Sequence, residues 1–107
     1  MGALVVARGD IWWGETPDKK GRPYLVMSRD AANAVLPRVL VAPVTRRVRE
    51  LPSELRLGRT EGLAVDSVAS FDNLQPFVKA LLTRRLGMLG PDRMHELCAV
   101  INATFDC

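Results

Sequence analysis

The chain has 107 residues, 48% hydrophobic and 25% charged, enough apolar content for one small domain and too much for wholesale disorder. Its net charge of +3 is uneven: residues 1–60 hold 11 basic and 6 acidic side chains, net +5, while residues 61–107 hold 4 and 6, net −2, so a polyanionic partner is sought on the first half. No run of about 18 apolar residues could span a bilayer, and Ala3 to Ala7 lacks the charged lead-in and length of a signal peptide, so a cytoplasmic protein with no membrane partner is expected.

In chain order, Asp10-Ile11-Trp12-Trp13 is aromatic and β-branched and stops at Gly14, as a strand does. The polar stretch 14–21, GETPDKKG, holds turn formers and a Lys pair and reads as an exposed, mobile loop. Residues 24–27 (YLVM) and 39–42 (VLVA) are near-continuous apolar runs, as in strands covered on both faces, with a short helical turn between them over 30–35. Residues 55–57 alternate, 67–71 form a fifth strand, and 86–89 a short sixth. The spacing of Met94, Leu97, Cys98, Ile101 and Phe105 predicts an amphipathic helix over 91–104, with Pro91 and Asp92 suited to its first turn. The expected fold class is α+β: a single domain, 1–107, of five or six short antiparallel strands in a barrel-like sheet, with a small connecting helix and a C-terminal amphipathic helix.

Cys98 and Cys107 make no disulfide framework and are expected to be reduced. Cys98 belongs to the apolar stripe and reads as core; His95, the single histidine, reads as surface or dimer contact. One histidine rules out a multi-histidine zinc centre, and no metal or cofactor is expected. Arg8-Gly9-Asp10 matches the cell-adhesion tripeptide by letters only and reads as a strand entrance.

Six blocks in register carry a resemblance: RGDIWW (8–13), GRPYLVMS (21–28), VAPVT (41–45), LPSE (51–54), Gly62-Leu63 with DSVA (66–69), and Arg85-Leu86-Gly87 with Leu89 leading into the terminal helix. Over residues 7 to 105 the chain resembles the MazF/PemK family of bacterial toxins. That resemblance implies an SH3-like barrel, a homodimer, and metal-independent cleavage of single-stranded RNA by the toxic half of a toxin–antitoxin pair. It also implies a cognate antitoxin, a small acidic MazE-like protein whose disordered tail wraps the dimer. The residues assigned to catalysis in the family, the arginine of the RP motif and the threonine closing the third core strand, match Arg22 and Thr45 here.

The chemistry supplies its own reasons for that pair. Cleavage through the RNA 2′-hydroxyl requires removal of a proton from O2′, stabilisation of a phosphorane and delivery of a proton to O5′. An arginine fork holds two phosphoryl oxygens at once, which makes Arg22 the main phosphate-stabilising candidate and a candidate general acid. Thr45 can donate one hydroxyl hydrogen bond to the same oxygens. Neither is a base at neutral pH, so the base stays open. By pattern alone, Arg22 also reads as a solvated edge residue and Thr45 as an ordinary β-branched strand residue.

For RNA binding, the candidates are Lys19, Lys20 and the cluster Arg46, Arg47 and Arg49, a phosphate-tracking groove or a solvated basic turn; strand alternation predicts Arg47 and Arg49 on one face and Arg46 on the other. Trp12 and Trp13 face opposite ways, so only one can stack on a base, an interaction worth about 1–3 kcal/mol. Asn73 and Gln75 carry amides able to read base edges from what reads as a polar loop. Many family members carry a small hydroxyl residue in place of Arg46, and often Gln then Arg in place of Asn73 and Gln75, departures that bear on which RNA sequence is read. The alternatives are a same-fold toxin that binds DNA gyrase, as the CcdB branch does, and a non-catalytic RNA-binding barrel.

Overall fold

The computed structural model describes residues 5–106; the expectations resting on Ala3 and Cys107 fall outside that span. Two apolar runs become neighbouring strands because each has two faces to bury. In β2 (Lys19–Val26) and β3 (Arg38–Thr45), which pair antiparallel with Leu25 opposite Ala42, alternate residues supply two separate clusters. Leu25, Ala42 and Val44 join Ile11 of β1 (Asp10–Thr16) and, from α2 (Met94–Phe105), Leu97 and Val100. Tyr24, Val26, Val39 and Val41 join Trp12, Phe77 and Leu82 on the opposite face. Burying side chains such as Ile11, Leu25, Leu82 and Leu97, all at 0% exposure, contributes about 1.5–3 kcal/mol each.

The sheet has seven strands, in the order β4 (Glu54–Leu57), β5 (Ser67–Ser70), β3, β2, β1 and β7 (Leu82–Met88), with β6 (Gln75–Val78) also on β3. One edge of β3 is shared: β6 pairs along 38–41 and β5 along 44–45. The short helix α1 (Asp30–Val35) lies where expected, tied down by buried Asn33, whose Nδ2 donates to the Ser28 carbonyl at 2.8 Å. The result is a curled antiparallel half-barrel with α2 against one face.

The structure corrects several expectations. The stretch 14–21 is no loop: β1 runs on to Thr16 and β2 starts at Lys19, leaving Pro17 and Asp18 as the turn of a hairpin, with an irregularity after Gly14. Polar composition misled because this hairpin end has no core to cover. Residues 75–78 form β6, since Phe77 packs against Tyr24 with ring centroids 4.6 Å apart. Strand β7 begins at Leu82, and residues 91–93 form a separate 3-10 turn before α2. Cys98 is exposed: Val100 takes the place on the buried face assigned to it, because the helix turns its 97/100/101/104 side inward. His95 is exposed. No helix among the described residues is long and apolar enough to cross a membrane.

The half-barrel is braced where the 3-10 turn Arg59–Glu61 packs against β7. A Cβ on Gly62 would stand 2.2 Å from the Leu86 carbonyl oxygen, and one on Gly87 would stand 2.2 Å from that of Glu61. Arg93 clamps the same corner, reaching buried Glu61 at 3.1 Å and Glu96 at 2.9 Å while donating to the Arg56 carbonyl at 2.8 Å. The hydrogen bond from Arg93 holds the Glu96 carboxyl below the usual glutamate range, partly opposed by burial. Its contribution to stability is therefore present above the ordinary glutamate pKa and is lost as pH falls through the lowered folded value. Urea melts between about pH 3 and pH 7 should show a shallower acid loss for Glu96→Gln than for the native chain.

Candidate nucleic-acid interface

Strands β2 and β3 pair with Tyr24 opposite Pro43; Arg22 lies two residues before Tyr24 and Thr45 two residues after Pro43, at the end where the two strands part. Alternation puts both on the face that carries Tyr24. Strand β3 ends at Thr45 because the chain folds back: the Arg47 N–H donates to Thr45 Oγ1 at 3.1 Å. That bond uses the oxygen as acceptor and leaves the hydroxyl proton available for donation. Beyond it, Glu54 Oε1 accepts the Arg49 N–H at 3.0 Å and the Leu51 N–H at 3.4 Å, organising the basic segment from beneath. Since the strand has already ended, the expected alternation of Arg46 against Arg47 and Arg49 does not apply.

Ten of the eleven residues named from the sequence as catalytic or RNA-binding candidates, all but Trp12, border one open groove of about 1290 Å³. Arg22 and Thr45 lie beside Lys19 and Lys20 from the hairpin, Arg46, Arg47 and Arg49 from the segment after β3, and Asn73 and Gln75 from the entrance to β6. Trp13 is the tryptophan at the groove; Trp12 is buried, its Nε1 donating to Asp10 at 3.2 Å. The Trp13 indole lies against Gly21, where a Cβ would come within 2.5 Å of the ring, and its Nε1 donates to Glu15 at 2.9 Å. Asn73 has committed a donor, its Nδ2 bonding Ser70 Oγ at 2.8 Å.

Arg84 and Tyr24 also line the groove and were not singled out from the sequence. Arg84 stands opposite Trp13 on β7, whereas adjacent Arg85, on the other side of the strand, pairs with buried Asp10 at 3.3 Å. Period-two alternation across a β7 recognised from Leu82 onward is the signal that finds it. Tyr24 looks like an apolar strand residue in the sequence, and it is indeed buried. Burial pushes its phenol up, opposed by the positive charge of Arg22.

The groove thus holds seven cations, Lys19, Lys20, Arg22, Arg46, Arg47, Arg49 and Arg84, and none has an ion-pair partner among the described residues. Among the described residues its lining includes no carboxylate, imidazole or thiol. Among the described residues no cluster of three or more His, Cys, Asp or Glu is placed to hold a metal. An uncompensated cationic groove is an electrostatic footprint for an extended polyanion.

A curled antiparallel half-barrel with a terminal helix and a cation-lined groove defines a small β-protein shaped to meet a polyanion. Residues 7–105 match the family described as PemK-like, MazF-like toxin of type II toxin–antitoxin system, and the chain belongs to that family. It is 38% identical over 102 residues to a Mycobacterium tuberculosis protein named probable endoribonuclease MazF5, with 94% of each chain covered. A second M. tuberculosis protein, named probable endoribonuclease MazF2, is 37% identical over 101 residues, covering 94% of this chain and 98% of that one. Among solved structures, the M. tuberculosis toxin MazF-mt6 superposes with a TM-score of 0.83 at 33% identity, covering 91% of this chain and 96% of that one. The fold is shared at the same TM-score of 0.83 with a mycobacterial endoribonuclease in complex with its cognate antitoxin, 22% identical, covering 94% and 95%.

Proposed function

We propose that this protein is an endoribonuclease that cuts single-stranded RNA, mRNA above all and tRNA or rRNA as further targets, at selected sequences, and so restrains translation and growth. The observation that carries the reading is that Arg22 and Thr45 line one groove together with cations that have no ion-pair partner among the described residues. In this reading Arg22 holds the phosphoryl oxygens as charge grows on them and Thr45 donates a hydroxyl hydrogen bond to the same group. The RNA 2′-hydroxyl is the nucleophile, and charge stabilisation falls to Arg22 rather than to a metal. Lys19, Lys20, Arg46, Arg47, Arg49 and Arg84 track the flanking phosphates, Trp13 stacks a base, and Asn73 and Gln75 meet base edges.

The test is incubation of the purified protein with long single-stranded RNA in EDTA and mapping of the new ends. Cuts at a recurrent short sequence, leaving 2′,3′-cyclic phosphate and 5′-hydroxyl ends, are expected. Binding without cutting would replace this reading with that of an RNA-binding barrel. Affinity for a non-cleavable oligonucleotide should fall with salt at about 0.7 logarithmic units per phosphate contact, so five contacts give a slope of about −3.5. Arg84→Ala should flatten the slope by about 0.7.

The regulatory partner in this reading is a cognate antitoxin with an acidic, disordered segment that folds into the same groove beside the β1–β2 hairpin. The relatives solved with an antitoxin and the unpaired cations of the groove support it. The working unit is a homodimer, checked by light scattering during gel filtration.

A further inference from the structure

Cleavage at Arg22 and Thr45 leaves two proton transfers to assign, removal from O2′ and delivery to O5′. When the bond from phosphorus to O5′ breaks, the departing oxygen must collect a proton, and a guanidinium is a poor source of one. Among the described residues the groove lining contains neither carboxylic acid nor histidine. Among the described residues its titratable side chains other than Lys and Arg come down to Tyr24.

Tyr24 is placed for that task. It shares a strand face with Arg22, two residues along β2, and sits opposite Pro43, two residues before Thr45, so the candidate pair and Tyr24 occupy consecutive same-face positions of adjoining strands. Its ring is fixed: Phe77 lies 4.6 Å away centroid to centroid, and the absent Cβ of Gly14 would stand 3.0 Å from its edge. The side chain is 6% exposed yet lines the groove, and its hydroxyl has no hydrogen-bond partner among the described residues. The ring is anchored in the core while the hydroxyl is not among the buried polar atoms, so its proton is open to an oxygen of whatever enters the groove.

We propose that Tyr24 is the general acid of the reaction, its phenolic hydroxyl giving its proton to O5′ as the leaving group departs; this rests on the endoribonuclease reading above. The 2′-oxygen forms its bond to phosphorus as the bond to O5′ breaks, and the 2′-hydroxyl proton passes to water or hydroxide. Tyr24, left as phenolate beside Arg22, regains a proton from solvent, so the net reaction consumes none. Proton transfer from a phenol to a departing alkoxide runs downhill, and burial, which favours the neutral phenol, keeps the acid loaded at working pH.

The experiment uses two RNA oligonucleotides carrying the mapped cut site, one ordinary and one with sulfur in place of the bridging 5′-oxygen, whose thiolate leaving group needs no proton. Tyr24→Phe keeps the ring against Phe77, so its melting temperature should match that of the native protein. It should cut the ordinary RNA about 100-fold more slowly and the sulfur-bridged RNA within a few-fold of the native rate. Arg22→Ala should be slow on both, because charge on the phosphoryl oxygens is not relieved by a better leaving group. Equal losses on both RNAs for Tyr24→Phe, or no loss on the ordinary RNA, overturns the assignment while leaving the nuclease standing. Failure of the native protein to cut either RNA overturns both.

Discussion

Replacing Arg22 by alanine is expected to slow single-turnover cleavage of single-stranded RNA by about 1,000-fold while leaving the melting temperature unchanged. The two halves of that result have separate causes. Arg22 is exposed and in no ion pair among the described residues, so the folded state does not depend on it. The transition state does: a phosphorane carries more negative charge than the phosphodiester, and a fork of parallel N–H donors gains most where that charge appears. Arg22→Lys keeps the charge and loses the fork, and should fall between the alanine variant and the native protein. Thr45→Ala removes one neutral donor and should cost less, about 10- to 100-fold. Cutting that survives both Arg22→Ala and Thr45→Ala would show that the groove is not where the phosphodiester reacts.

The second large effect is on stability. Gly62→Ala should destabilise the fold by about 3 kcal/mol and lower the melting temperature by on the order of 10 °C or more, read by thermal circular dichroism. Gly62 sits at φ 92°, where a Cβ is strained, and that Cβ would press on a backbone carbonyl that cannot rotate aside. Gly87→Ala meets the mirror-image contact with the Glu61 carbonyl without the strained φ and should cost somewhat less. Both force the 3-10 turn Arg59–Glu61 off β7, so the double variant should cost less than the sum of the two. Because Gly62 also borders the groove, cleavage should fall alongside stability.

Much of the architecture could be read from the chain because core strands and helices advertise their burial. The runs at 24–27 and 39–42, the short helix at 30–35 and the terminal helix all lie within a few residues of their expected places. What escaped was structure whose side chains bury little. The hairpin end over 16–19 is solvated on its faces, and β6 contributes a single deeply buried side chain, Phe77, between exposed neighbours. Cys98 was misplaced because hydropathy spacing has a tolerance of about one position around a helix, and only packing against the sheet decides between Cys98 and Val100. Arg84 was invisible for a similar reason: it is one of two adjacent arginines on a strand whose start could not be seen.

The division between what the chain and what the fold decide is clear in the groove. By itself the sequence determined the family, the excess of positive charge in the first half, and the identity of Arg22 and Thr45 as residues in matching blocks, because composition and block order are properties of a line of letters. Only the tertiary structure decided that Arg22 and Thr45, 23 positions apart in the chain, line the same groove, that Trp13 and not Trp12 meets it, and that Arg84 joins the other cations there. It also decided that buried Tyr24 adjoins them with a free hydroxyl. Those facts follow from strand register and sheet curl, which are set by which distant side chains pack together, and no local pattern in the chain encodes that choice.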